Sequence, residues 1–393
     1  MRGITRPRGE SDIIDVLERQ LRQQNSRTIL VLTAFLGGFV ILIWTQAIWF
    51  TTASNWGHIG FRTFVPGLIV VGLTILTISG GIDSSGVIHR RRQWWTKWLT
   101  IGLIVVLVLA WVQIVMVATS VIAAALVEAG VGGTSAVVIA CACSVAMGGI
   151  TSLVKRLIHK LQIGRAGAVL GSILLLAGRS AFTYVADNVL VRPSRLPMEW
   201  SPPGWLADLT SANRVLAPIV FVGVLLAGLL FIRYTGPGNH LYAIGGDPEA
   251  CRRAGVRVDR IRAGAWLVVG LLSGFAGIAH MSRFGLLPPG RISSDLVTAA
   301  VVAVLLGVVA LSGGRGSLLG ASLALLVWEV TRNGMIMTGV SPTGMARAQI
   351  GFLILAITLA TFRRDNGEHR HGSNSDCEPQ ISSESARTGD GEL

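Results

Sequence analysis

Long apolar runs alternate with short polar or basic segments along almost the whole chain. Ten of these runs lie at 29–50, 63–81, 98–121, 133–154, 167–187, 214–232, 262–282, 296–312, 315–332 and 347–362. Each approaches the ~20 residues that a helix needs to cross a hydrocarbon core. The pattern predicts an all-α polytopic membrane protein with about ten transmembrane helices over residues 29–362, because lipid offers no partner to an unpaired backbone N–H or C=O. The second, eighth and ninth runs are short or interrupted by glycine. Irregular backbone at membrane depth survives only where protein or a water-filled cavity covers it, so these three are candidates to line a pathway. Residues 1–28 read as a polar cytoplasmic segment, with an amphipathic stretch around Ile13 to Leu21 suited to a membrane surface. Residues 363–393 read as a polar, Ser/Glu/Gly-rich cytoplasmic tail of disordered composition. The first run, starting near Ile29, is too long for the apolar core of a cleavable signal peptide.

Composition agrees with this picture. The 393 residues are 51% hydrophobic and 14% charged, against about 25% charged in soluble domains. A net charge of +13 would suit a nucleic-acid binder, but the basic residues punctuate the apolar runs and form no single patch, which argues against nucleic acid as a partner. With the N-terminus inside, 25 of the 34 lysines and arginines fall on cytoplasmic segments and 8 on outer loops, with Arg179 inside the fifth run. That bias places both termini in the cytoplasm. The four cysteines, Cys141, Cys143, Cys251 and Cys377, have neither disulfide-framework nor zinc spacing.

The polar island from His240 to Val256, between the sixth and seventh runs, carries helix signals at both ends. Asp247 can accept from free N–H groups of a first turn, and Pro248 fits the first helical position. Glu249 suits the positive end of the helix dipole, and Arg252 and Arg253 suit the negative end. Gly255 can take the left-handed conformation that closes a helix. An ordinary topology-setting loop and a docking knob for a soluble partner both fit this spacing. The stretch Tyr242-Ala-Ile-Gly-Gly-Asp-Pro-Glu-Ala250, followed by Arg-x-x-Gly255-Val, resembles the ATPase-contacting loop of bacterial ABC sugar-importer permeases of the ribose, xylose and galactose type. The resemblance implies that Gly245, Gly246, Asp247, Pro248, Glu249, Ala250, Arg252 and Gly255 form a coupling helix seated in a groove of an ATPase subunit.

Other segments carry weaker signals. The second run contains Thr74 and ends in Gly80-Gly81-Ile82-Asp83-Ser84-Ser85-Gly86, a polar turn with an ionisable residue at a span end. Asp83 reads either as a functional group or as an interfacial loop residue. The segment is similar to the same family's Gly-Gly-Ile-Asp-Leu-Ser-Val-Gly signature and departs from it after Asp83. Arg179 stands where the family has an arginine in its fifth span. Leu311 to Gly316 resembles a Leu-x-Gly-Gly-x-Gly turn, and Gly307 alone remains of a preceding Gly-Gly-Thr. Asn333-Gly334 and Gly339-Val340-Ser341 match the family's pattern near the end of the ninth run, where Asn333 reads as a sugar-hydroxyl donor or as a helix-end cap. Glu329 and Arg332, spaced i, i+3, can pair on one helical face. The candidate pathway set is therefore Thr74, Gly80, Gly81, Asp83, Ser85, Arg179, Gly307 and Asn333. The outer loop from Asp187 to Asn213, with Trp200 and Trp205, reads as an interfacial anchor or a landing surface.

No G-x-x-x-x-G-K-[ST] phosphate loop, H-E-x-x-H pattern or G-x-S-x-G elbow occurs, so no enzymatic activity is expected and any ATP would be bound by a separate subunit. The resemblance implies the permease subunit of an ABC importer in a bacterial cytoplasmic (inner) membrane, working by alternating access on a sugar or sugar-like solute. It implies as partners a second permease copy, a cytoplasmic ATPase and an extracytoplasmic solute-binding protein, besides the lipid membrane. Two other classes stay open. A secondary transporter would need ionisable groups at the bilayer midplane, and Asp83, Arg179 and Glu329 lie near span ends. A non-transporting scaffold would keep the docking loop and lose the pathway.

Overall fold

The computed structural model describes residues 52–80, 94–160, 202–210, 216–284, 294–307 and 316–354, and every regular element among them is an α-helix. In chain order these are α1 (Ala53–Ile78), α2 (Trp94–Glu128), α3 (Gly133–Lys160), α4 (Gly204–Thr210), α5 (Leu216–Tyr234), α6 (Gly236–Gly246), α7 (Pro248–Arg253), α8 (Val258–Phe284), α9 (Ser294–Leu306) and α10 (Leu318–Met337), followed by α11 over 342–354. Five of them, α1, α2, α3, α5 and α8, contain stretches long and apolar enough to cross a membrane, and they coincide with the second, third, fourth, sixth and seventh runs. The first and fifth runs, the N-terminal segment and the polar tail lie outside the described residues.

Several helices extend beyond the apolar runs that announced them. α1 begins ten residues before position 63, because Thr52 caps it by accepting from the Asn55 N–H at 3.4 Å. Arg62, expected in an outer loop, therefore stands within α1. Arg262, at the first position of the seventh run, lies one turn inside α8. Hydropathy marks the apolar part of such helices and is blind to polar turns that carry the same backbone ladder further.

α8 is the hub, packing against α3, α1 and α2. Its glycines let other backbones come close: a Cβ on Gly270 would lie 2.5 Å from the Ser144 carbonyl of α3, and one on Gly277 would lie 2.5 Å from the Met116 carbonyl of α2. Trp111 and Trp266 meet edge to face at 5.0 Å between centroids, and the Trp111 indole N–H donates to Thr151 Oγ1 at 2.8 Å. These contacts bind α2, α3 and α8 into one block. α1 lies against that block on one side and against α5, α9 and α10 on others, with Leu68, Ile69, Val70 and Leu76 at 0–1% exposure. α3 and α5 instead present apolar side chains outward, among them Val138, Ile150, Leu153, Ile219, Leu226 and Leu230. Such surface is at no disadvantage in lipid, whose tails are as apolar as leucine.

Gly277→Ala should destabilise this hub by about 1–3 kcal/mol through overpacking, more than the ~1 kcal/mol that alanine gains in helix propensity. Gly264→Ala, where a Cβ meets nothing within 4 Å, should be neutral or mildly stabilising. Thermal unfolding of the two variants in detergent compares them directly.

Candidate functional site

The polar island folds as two helices rather than one. Thr235 caps α6, its Oγ1 accepting from the Gly238 N–H at 3.1 Å, and Pro237 occupies the first turn, where a missing N–H costs little. Leu241, Ile244 and Gly245 bury the inner face of α6, and Leu241 joins the hydrophobic core. α6 is thus a pedestal. Asp247 ends it and starts α7: its backbone is extended (φ −143°, ψ 98°), and its Oδ1 accepts from the N–H groups of Glu249 at 2.9 Å and Ala250 at 3.0 Å.

α7 buries none of its six residues. Gly255 closes it with φ +81°, a conformation that costs most side chains strain. The Gly255 N–H donates to Arg252 O and the Val256 N–H to Cys251 O, each at 3.0 Å, the crossed pair that satisfies the last carbonyls of a helix. On its surface Arg252 pairs with Glu249 and reaches Asp259 at 3.7 Å. Exposed pairs of this kind contribute little to stability, so the charges are open to a partner. Glu249, Ala250, Arg252 and Gly255 form an exposed face, Pro248 is half-buried and Gly246 is exposed beside them. Gly245 alone of the expected docking residues is buried, on the pedestal side.

The pedestal also touches the ends of two other helices. The Tyr242 hydroxyl donates to the Gly316 carbonyl at 3.0 Å, in the turn that leads to α10 through its Ser317 cap. Burial pushes the Tyr242 phenol above its ordinary value. Arg262 Nε donates to the Ser79 carbonyl at 3.3 Å, at the C-terminus of α1. The next residue, Gly80, has φ +64°. A Cβ there would lie 3.3 Å from the Arg262 guanidinium and 3.4 Å from the Cα of Gly245. Tyr242 and Arg262 were absent from the expected site residues. The start signal of α6, Thr235 with Pro237 behind it, was the readable clue to the pedestal.

The expected pathway residues among the described ones, Thr74, Gly80, Gly307 and Asn333, stand at separate places in the bundle. Thr74 is fully buried in α1, and its hydroxyl has no hydrogen-bond partner. Gly80 sits at the pedestal. Gly307 lies against α10: a Cβ on Gly320 would stand 2.6 Å from the Gly307 carbonyl, so this glycine serves a tight helix crossing. Asn333 lies near the opposite end of the bundle from the knob, and its Nδ2 donates to Asn55 Oδ1 at 2.8 Å, joining α10 to α1. Near this pair Glu329 is 1% exposed, and Arg62 of α1 stands in the electrostatic field of Glu329 and Arg332. Gly81, Asp83, Ser85 and Arg179 lie outside the described residues. Among those described, no cluster of His, Cys, Asp or Glu has metal-binding geometry.

Known proteins place this architecture. Over 311 residues the chain is 25% identical to the ribose import permease protein RbsC of Escherichia coli (strain K12), covering 79% of this chain and 86% of that one. It is 25% identical over 381 residues to the xylose transport system permease protein XylH of the same strain, covering 88% and 94%. The autoinducer 2 import system permease protein LsrC of Enterobacter sp. (strain 638) is 29% identical over 207 residues, covering 50% and 60%. No solved structure matches the chain. Residues 98–358, from α2 through the last described helix, match the model of the branched-chain amino acid transport system / permease component family, and the chain belongs to that family of multi-pass bacterial membrane permeases.

Proposed function

We propose that this chain is the membrane-spanning subunit of an ATP-driven importer for a sugar or sugar-like solute, and that α7 is its coupling helix. The observation that carries the reading is a rigid helix, capped at both ends, with no buried residue of its own and standing on a buried pedestal. A helix so exposed contributes nothing to the core, and its fixed shape suits a partner's groove. The sugar assignment is supported by the relatives named for ribose and xylose. The chain has no phosphate loop, so ATP binds a separate cytoplasmic subunit docked on α7. A second permease copy completes the pathway, and an extracytoplasmic binding protein delivers solute to the outer side.

The mechanism is alternating access. Closure of the ATPase pair moves the knobs, and packed helices convert that movement into opening at the other face. A ligand biases two states only through its different affinity for each. The pathway therefore binds solute weakly in both, and tight capture resides in the binding protein.

Glu249→Arg places a positive charge at the positive end of α7 and removes the pairing with Arg252, while Gly255→Val strains the closing residue. Both variants should insert in the membrane normally and retain much less ATPase on co-purification, whereas unchanged retention in both removes the docking assignment. Sidedness is a separate check. With the four native cysteines replaced by serine, Arg252→Cys should resist an impermeant maleimide in intact cells and react in inverted vesicles. The reverse pattern puts α7 on the wrong side for any ATPase.

A further inference from the structure

Resting on that reading, we infer that movement of the knob α7 is transmitted by the pedestal α6 together with the start of α8: Tyr242 of α6 joins the turn before α10, while Gly245 of α6 abuts the C-terminus of α1 and Arg262 of α8 bonds to it. Three observations converge. α7 buries nothing, so its movement must pass through its neighbours. α6 meets α1 and α10 at their ends, Gly245 beside Gly80 and Tyr242 at Gly316, where the fewest backbone bonds must yield. The acceptors, Ser79 O and Gly316 O, flank the ends of the two helices that meet again at Asn55–Asn333, near the opposite end of the bundle.

The joints differ in kind. The Tyr242 bond is a single directional contact between residues 74 positions apart. At Gly80 the contact is steric as well as polar, since the left-handed backbone brings α1's last turn against Gly245 and Arg262. A push on α7 toward the membrane therefore meets α1 directly and pulls on the start of α10 through one hydroxyl. Tyr242 and Arg262 are positioning residues: neither lies on the exposed docking face, and both hold pathway helices in register with it.

The test uses the complex of this chain with its ATPase in lipid nanodiscs. In a chain free of native cysteines, an environment-sensitive fluorophore at Met337→Cys reports on the far end of α10, where Met337 is 39% exposed. ATP with vanadate serves as the probe, with the nucleotide-free complex as reference. Tyr242→Phe, which deletes one oxygen, and Arg262→Met, which keeps length and loses the donor, should each retain ATPase and unfold at the parent's temperature. The nucleotide-driven response should fall about three- to tenfold in Tyr242→Phe, the scale of one lost hydrogen bond, and in the same direction in Arg262→Met. A full response in either variant overturns the inference. Loss of assembly or of folding does so too, because it assigns the contacts to docking or stability. Absence of a response in the parent would instead remove the coupling mechanism proposed above.

Discussion

Close backbone approach along α8 is the constraint on which the rest of the structure depends. Between lipid-embedded helices the hydrophobic effect offers little, so association rests on van der Waals contact and interhelical hydrogen bonds. Each atom pair contributes only about 0.1–0.2 kcal/mol, and only small residues let enough of them form. Gly270 and Gly277 bring the backbones of α3 and α2 to α8, and Gly72 of α1 stands where a Cβ would be 3.2 Å from the Cα of Val269. α1 and the α6–α7 pair are hung on this block. The knob is anchored to it because α8 begins directly behind α7, and α1 is seated because α8 covers one of its sides.

Against this frame α1 and α10 make a second unit tied by polar contacts near both ends. Asn55 and Ser79 are 24 residues apart on α1, or about 36 Å along a helix. At one end the Asn55–Asn333 amide pair joins the two helices directly. At the other they are joined through α6 and α8. Between these ends the pair is tightly covered, with Thr63, Thr74, Ser322 and Glu329 among its buried polar groups. Packed interiors switch between discrete arrangements rather than deforming continuously. Polar joints near the two ends of one helix pair fix the ends of α1 and α10 relative to each other while packing holds their middle.

The local chemistry of the knob was legible in the sequence because capping is local: Asp247, Pro248 and Gly255 each act within four residues of their own position. The apolar runs gave five of the described membrane helices for the same reason, since helix hydrogen bonds are internal to each segment. What stayed hidden depended on distance or on context. Gly236-Pro237-Gly238-Asn239 has the composition of a turn, yet the Thr235 cap makes it the first turn of α6. Asn333 suggested a ligand donor or a cap, while its partner Asn55 lies 278 residues away, beyond any periodicity. Gly307 reads as an interruption in a span, and its close neighbour Gly320 is not something that spacing along the chain reveals.

Asp247 terminates one helix and initiates the next with no linker between them. A longer connection would act as a spring, absorbing part of any force before passing it on. A single-residue elbow stores almost nothing, and it also fixes the azimuth of α7 around the axis of α6. Adding one residue to α6 would swing the knob by about 100°, turning its charged face to a different side of α6. The length of α6 therefore sets the direction in which α7 points, and α6 is a gauge as much as a support.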